Sequence, residues 1–260
     1  MRFLPRKAIL VLLLFLTWVT QPLVLAGSSP LLFFPWDSDD YQKNTGSLGG
    51  AVEVISPMGA APETYRWERG VALRLPTSAQ GNKGAHLVYP HTIAELRLAG
   101  PDDQLTIACW VRWDGPAKGN EKFQGIVSTA SNGLRSGWAL GINRDDQKLV
   151  FLWGIRSGST VRFSEIPISE GEWTHVAVVW DNADETGLKF YLDGKPVRPF
   201  QLGKPLLYKG KGGIIANDNP LRIGMFGKTS GPLNGSLSQL RIYDTALSDE
   251  SIAHLAEGAP

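Results

Sequence analysis

Trp138 and Trp153 are the two indoles in this chain whose flanking residues could hold a sugar. A sugar ring presents apolar C–H faces that stack on indole, while its hydroxyls need planar donors and acceptors nearby. Trp138 follows a polar loop containing Asn132 and Arg135, and Trp153 leads into Gly154-Ile155-Arg156-Ser157. If the two strands adjoin in one concave sheet, Trp153, Arg156, Trp138, Arg135 and Asn132 line a single cleft. Trp153 would then be the stacking ring and Arg156 its polar partner. Each indole also has a competing place in a packed interior. For Trp110, Trp113, Trp173 and Trp180 the interior is the preferred place.

Metal chemistry has one candidate. Asp37, Asp39, Asp40 and Asn44 form an oxygen-rich loop, and calcium needs several oxygens converging from such loops. Asp37 and Asp40 are the expected ligands of a structural calcium, against the alternative of a solvated loop. The loop lacks the glycine turn of a helix-flanked calcium site. Cys109 is the single cysteine, so an intrachain disulfide and a cysteine-rich zinc site are excluded. The chain contains neither a His-Glu-x-x-His pair nor a Gly-x-Ser-x-Gly elbow. Gly227-Lys228-Thr229 looks like the end of a phosphate loop, but Arg222 stands where that loop requires glycine. Asn234-Gly235-Ser236 is a formal glycosylation sequon, with a tight turn as the preferred reading.

The elements that must position these residues are short and apolar. Runs at 71–75, 105–113, 125–128, 138–143, 149–155, 161–166, 174–181, 188–192, 221–223 and 235–243 are rich in Val, Ile, Trp, Phe and Thr. Gly, Pro, Asn and Asp separate them, which is the pattern of an antiparallel sandwich. Leu31-Leu32-Phe33-Phe34 reads as a first strand, and Asp193-Gly194 as a tight hairpin turn. One helix is expected near the end. Ser248 caps it, Asp249 and Glu250 occupy its first turn, and Ile252, Ala253, Leu255 and Ala256 face inward.

Residues 1–26 read as an export signal: Arg2, Arg6 and Lys7 precede an apolar run over 8–19 that is short of the ~20 residues a membrane helix needs. Residues 27–260 are expected to form one domain. Without the three leading cations the acidic residues slightly outnumber the basic ones, so charge gives no case for nucleic acid or an anionic membrane. Insertion in the membrane after signal cleavage is not expected.

Four phrases recur here in a fixed order: Glu172-Trp173-Thr174-His175-Val176-Ala177, Tyr191-Leu192-Asp193-Gly194, Leu221-Arg222-Ile223-Gly224 and Arg241-Ile242-Tyr243-Asp244-Thr245-Ala246-Leu247-Ser248. With Leu105-Thr106-Ile107-Ala108-Cys109-Trp110-Val111 and Gly125-Ile126-Val127-Ser128, they resemble the LamG-like (laminin G-like) domains of the concanavalin A-like lectin/glucanase superfamily. The resemblance implies an all-β fold, an antiparallel jelly-roll β-sandwich with one short C-terminal helix. It implies a buried hydrogen bond for His175, at the family's Trp-x-His position.

By function, the resemblance implies a secreted, non-catalytic module that recognises carbohydrate. A cell-envelope protein–protein adhesion or structural module is the alternative, and a polysaccharide-degrading enzyme a third reading. The β-glucanases of the superfamily resemble one another in a Glu-x-Asp-x-Glu strand, where alternation puts the carboxylates on one face. No Glu here is followed two places later by Asp, and Glu170-Gly171-Glu172 is the nearest spacing. Calcium also meets departures, because Leu237-Ser238-Gln239-Leu240 lacks the family's paired aspartates and residues 225–229 lack the acids of pentraxins. The expected location is extracellular, periplasmic or cell-surface, with a polysaccharide, glycan or extracellular protein as partner and no cofactor required.

Overall fold

The computed structural model describes residues 29–36, 40–78, 83–90, 103–116, 122–130, 135–155, 158–183, 187–200, 214–227 and 230–258. Asp37, Asn132 and Arg156 lie outside them, as do residues 1–26, the expected export signal, and Lys228-Thr229. The strands are β1 Leu32–Phe34, β2 Glu53–Ile55, β3 Glu63–Trp67, β4 Gly70–Leu75, β5 His86–Tyr89, β6 Gln104–Trp113, β7 Phe123–Ser128 and β8 Trp138–Asn143. They continue with β9 Lys148–Ile155, β10 Gly158–Pro167, β11 Trp173–Asp181, β12 Leu188–Leu192, β13 Lys195–Val197, β14 Pro199–Phe200, β15 Leu221–Ile223 and β16 Gly235–Tyr243. Helix α1, Asp249–Ala256, follows.

Two antiparallel sheets face one another. The first runs β13-β12-β11-β6-β16-β4-β3, with β1 also paired to β16; the second runs β14-β10-β9-β8-β7-β15-β5-β2. Sequence neighbours β13 and β14 belong to different sheets, so the chain passes from one layer to the other at this edge. Pro196 and Pro199 sit there and withhold ladder donors, which discourages further strand addition.

Strand alternation decides what enters the core. In β6, Leu105, Ile107, Cys109, Val111 and Trp113 point inward and are essentially fully buried. They meet Trp138, Leu140 and Ile142 of β8 and Leu149, Phe151 and Trp153 of β9. Trp113 Nε1 donates to Gln124 Oε1 across this interior. Burial pushes the Cys109 thiol up, so it behaves as a small apolar residue and not as a nucleophile.

The turns follow their residues. Asp193 and Gly194 both adopt positive φ, 49° and 74°, between β12 and β13, the twist a two-residue hairpin requires. Ser248 Oγ accepts from the Ser251 backbone N–H at the start of α1. Ile252 of α1 packs on Ala108, Ala177, Val179 and Tyr191, on the outer face of the first sheet. Asn44, read above as one of several oxygens for a cation, is a buried structural residue. Its Oδ1 accepts the N–H groups of Phe33 and Gly46, and its Nδ2 donates to Gly49 O.

Candidate functional site

The expected cleft does not form from its two indoles. Trp138 and Trp153 are cross-strand partners in β8 and β9, so their rings share a face. That face is the inner one, where each is 1% exposed. Phe151, two residues before Trp153, lies 6.4 Å from Trp138 and 5.6 Å from Trp153 between ring centroids. Neither indole offers a face to a ligand. On the outer side, Gly154 supports the loop carrying Arg135: a Cβ there would lie 2.3 Å from the Arg135 carbonyl carbon. Arg135, expected to line one cleft with Trp153, therefore lies against the end of β9 on the opposite side of the sheet from that ring. Asn217 completes this loop cluster by donating to Thr129 O and Ser136 Oγ.

A different set of indoles meets on the outer face of the first sheet. Alternation in β6 turns Trp110 and Arg112 outward, opposite Trp113, and alternation in β11 does the same for Trp173 and His175, opposite Trp180. Register pairs Arg112 with Trp173 and Trp110 with His175. Trp110 and Trp173 were expected in the core beside Trp113 and Trp180; Trp110 is buried, at 5% exposed, but on the outer face of the sheet, and Trp173 is half-buried there. Each pair is separated by an odd number of residues along one strand, so its members face opposite sides.

The third ring comes from the hairpin of β3 and β4. Trp67 ends β3, opposite Gly70, and its ring stacks on Trp173 with centroids 4.1 Å apart and meets the edge of Trp110 at 5.4 Å. Trp67 Nε1 donates to Ser238 Oγ at 3.3 Å. Arg69, in the turn, lies 4.7 Å from the Trp110 ring centroid and donates to the carbonyls of Ala256 and Glu257 at the end of α1. The hairpin tip is thereby fastened over the sheet, and Trp67 and Trp173 stay half-buried.

Charge gathers at the open end of this stack. Arg74 and Arg112 share the carboxylate of Asp114. Arg112 is held by Nε alone, which donates to Gly171 O at 3.0 Å and lies 3.4 Å from Asp114 Oδ1. Its two terminal nitrogens have no partner among the described residues, and the side chain is 40% exposed. Glu170 lies against Gly115 nearby, and Glu172 is exposed in the turn before β11. An anchored guanidinium beside an exposed indole can donate to hydroxyls or a carboxylate while the ring takes an apolar face.

Beneath the stack, His175 is 1% exposed. Its Nδ1 has no hydrogen-bond partner among the described residues; the hydrogen bond made at this position comes from the backbone N–H, which donates to Asp193 Oδ1 at 2.9 Å. Burial holds the ring neutral with a pKa of about 3, and Arg241 and Arg69 add repulsion against a proton. Among the described residues no cluster of His, Cys, Asp or Glu could hold a metal.

A family model of laminin G type, for the concanavalin A-like lectin/glucanases superfamily, matches residues 85–253. The chain belongs to this superfamily. Solved structures share the architecture at low identity. Domain 4 of AbnA, an extracellular arabinanase from Geobacillus stearothermophilus solved with arabinotriose, has a TM-score of 0.62 at 17% identity, covering 87% of this chain and 98% of that one. The binding domain of Paraclostridial Mosquitocidal Protein 1 has a TM-score of 0.62 at 15% identity, covering 88% of this chain and 52% of that chain. A botulinum neurotoxin type C structure, described as entering cells through two ganglioside molecules, gives 0.60 at 14% identity over 88% and 51%. This superfamily member thus spans about half the length of the toxin binding domains it matches. No curated protein matches the sequence.

Trp67 and Arg112 were missed as site residues for a readable reason. Residues 63–67 alternate Glu-Thr-Tyr-Arg-Trp, a strand signal that went unused. Arg112 lies between two apolar residues of a strand whose alternate positions fill the core, which marks it as outward-facing.

Proposed function

We propose that this chain is a non-catalytic recognition module that binds carbohydrate on the outer face of its first sheet. The observation that carries the reading is the half-buried Trp173, braced by Trp67 and paired in register with an Arg112 whose terminal nitrogens have no partner among the described residues. The indole takes the C–H face of a sugar, and Arg112 donates to its hydroxyls. Fixing both groups before the ligand arrives lowers the ordering cost of binding. The arabinotriose complex of the arabinanase domain and the ganglioside dependence of the toxin support the ligand class. The leader supports export, to an extracellular, periplasmic or cell-surface location.

The test is a polysaccharide and glycan array probed with residues 27–260, once in calcium and once in chelator. Wild-type binding should be lost in Trp173→Ala and weakened in Arg112→Gln in both buffers. Hits that survive Trp173→Ala would refute this site. Hits lost only in chelator would assign recognition to a calcium held near Asp37 and Asp40. A well-folded protein with no hits would favour a protein partner, and release of reducing sugar would overturn the non-catalytic reading.

A further inference from the structure

Arg222 sits in β15 between Val88 of β5 and Ser128 of β7. Leu221 and Ile223 on either side fill the core, so alternation puts Arg222 on the outer face of the second sheet, away from the Trp173 patch. His86, two residues before Val88 along β5, shares that face. Arg222 is 5% exposed and His86 7%.

A guanidinium withdrawn from water costs several kcal/mol unless an anion and hydrogen bonds compensate it. None of the ion pairs of the described residues involves Arg222. Its one hydrogen bond is long, from Nη1 to Pro220 O at 3.5 Å. The nearest acid by register is Glu53, opposite Val88 on β2 and exposed, with β5 lying between Glu53 and Arg222. The remaining nitrogens of Arg222 are not among the fully sealed unpartnered atoms, so they reach solvent.

One neighbour, His86, extends the donor set. Ser128, opposite Arg222, is 0% exposed with its Oγ accepting the N–H of Ala130 at 3.0 Å, and is sealed from any ligand. His86 Nδ1 is tied to Gly84 O at 3.1 Å, leaving Nε2 for another partner. Burial lowers the His86 pKa, the Gly84 contact opposes this, and the Arg222 charge lowers it further.

We infer that Arg222, with His86, forms a subsite for one compact oxyanion, a carboxylate or a sulfate, on the outer face of the second sheet. A planar guanidinium fork, with the His86 imidazole on the same face, suits two oxygens of such a group. This subsite is independent of the Trp173 patch. The oxyanion could belong to a uronic acid of a glycan or be a free inorganic ion.

Thermal unfolding of the full chain at fixed ionic strength separates these sources. Chloride is replaced stepwise by sulfate in one arm and by glucuronate in the other. Sulfate also stabilises proteins without a site, so the signal is a saturable rise that depends on Arg222. A rise of about 2–4 °C is expected in wild type, retained in Arg198→Gln and absent in Arg222→Met. In chloride alone, Arg222→Met should be at least as stable as wild type, because it removes an uncompensated charge. Should Arg222→Met fail to fold, His86→Ala must reduce the rise instead. A saturable rise with glucuronate only identifies a uronic acid, whereas one with sulfate identifies a free ion. No saturable rise in wild type, or an equal rise in Arg222→Met, overturns the inference.

Discussion

Trp67 and Trp173 lie face to face with ring centroids 4.1 Å apart and planes 24° from parallel, although three strands separate β3 from β11 in the first sheet. The contact exists because the β3–β4 hairpin tip folds over the sheet and is fastened by Ser238 and the end of α1. Stacked indoles contribute ~0.5–1.5 kcal/mol beyond their buried area. A double-mutant cycle of Trp67→Ala and Trp173→Ala should return a coupling of about 1 kcal/mol in urea unfolding. Additivity within error would mean that the stack does not brace Trp173.

Trp153→Ala distinguishes a core indole from a binding indole. Trp153 is 1% exposed between the sheets, so truncation should cost ~3–5 kcal/mol. Glycan affinity per folded molecule should remain unchanged, measured by calorimetry well below the lowered melting temperature. A stable variant that no longer binds would restore Trp153 as the stacking ring.

These two outcomes show what the sequence could reveal. Strand positions follow from local alternation, and 138–143, 188–192, 221–223 and 235–243 match β8, β12, β15 and β16 residue for residue. The side of each sheet that becomes core depends on register with partners far along the chain. Trp138 and Trp153 could have pointed either way until β8 and β9 were seen to share Phe151 inward. For Trp110 against Trp113 and Trp173 against Trp180, parity alone was enough to separate the faces. The Trp67 stack was out of reach because it depends on a hairpin folding over its own sheet.

Gly154 and Gly125 should be among the least replaceable residues of the second sheet. A Cβ on Gly154 would lie 2.3 Å from the Arg135 carbonyl carbon, and one on Gly125 would lie 2.1 Å from Met225 C and Phe226 N. Backbone cannot rotate aside as a side chain can. Each Gly→Ala change should therefore cost at least ~1–3 kcal/mol, the usual range for overpacking. Chemical denaturation checks this, and near-neutral values would mean that the covering loops yield freely.

Asn44→Ala should destabilise the fold whether or not calcium is present. The side chain satisfies the N–H of Phe33 in β1 and, inside the 40–50 loop, the N–H of Gly46 and the carbonyl of Gly49, and stranding buried groups of this kind costs ~1–3 kcal/mol each. Melting curves in calcium and in chelator should show the same loss. A larger loss in calcium than in chelator would make Asn44 a metal ligand after all.

His175 makes stability fall with acid. Its folded pKa of about 3 lies below the ordinary 6.5, so its contribution is complete above the unfolded value and disappears as pH falls toward the folded one. Between those limits the unfolded chain takes up a proton that the folded chain refuses, a slope of up to ~1.4 kcal/mol per pH unit. His86 is shifted in the same direction, so wild type alone cannot assign the slope. Asp249, held below its ordinary range first by Tyr191 and then by Lys189, adds acid sensitivity only at lower pH. The decisive quantity is the difference between wild type and His175→Gln in urea unfolding at pH 7, 5.5 and 4. The variant is expected to be less stable at pH 7 and to close that gap steadily on acidification. A gap independent of pH would mean that His175 is protonated in the folded protein, and that the hairpin tip and α1 do not shield it from water.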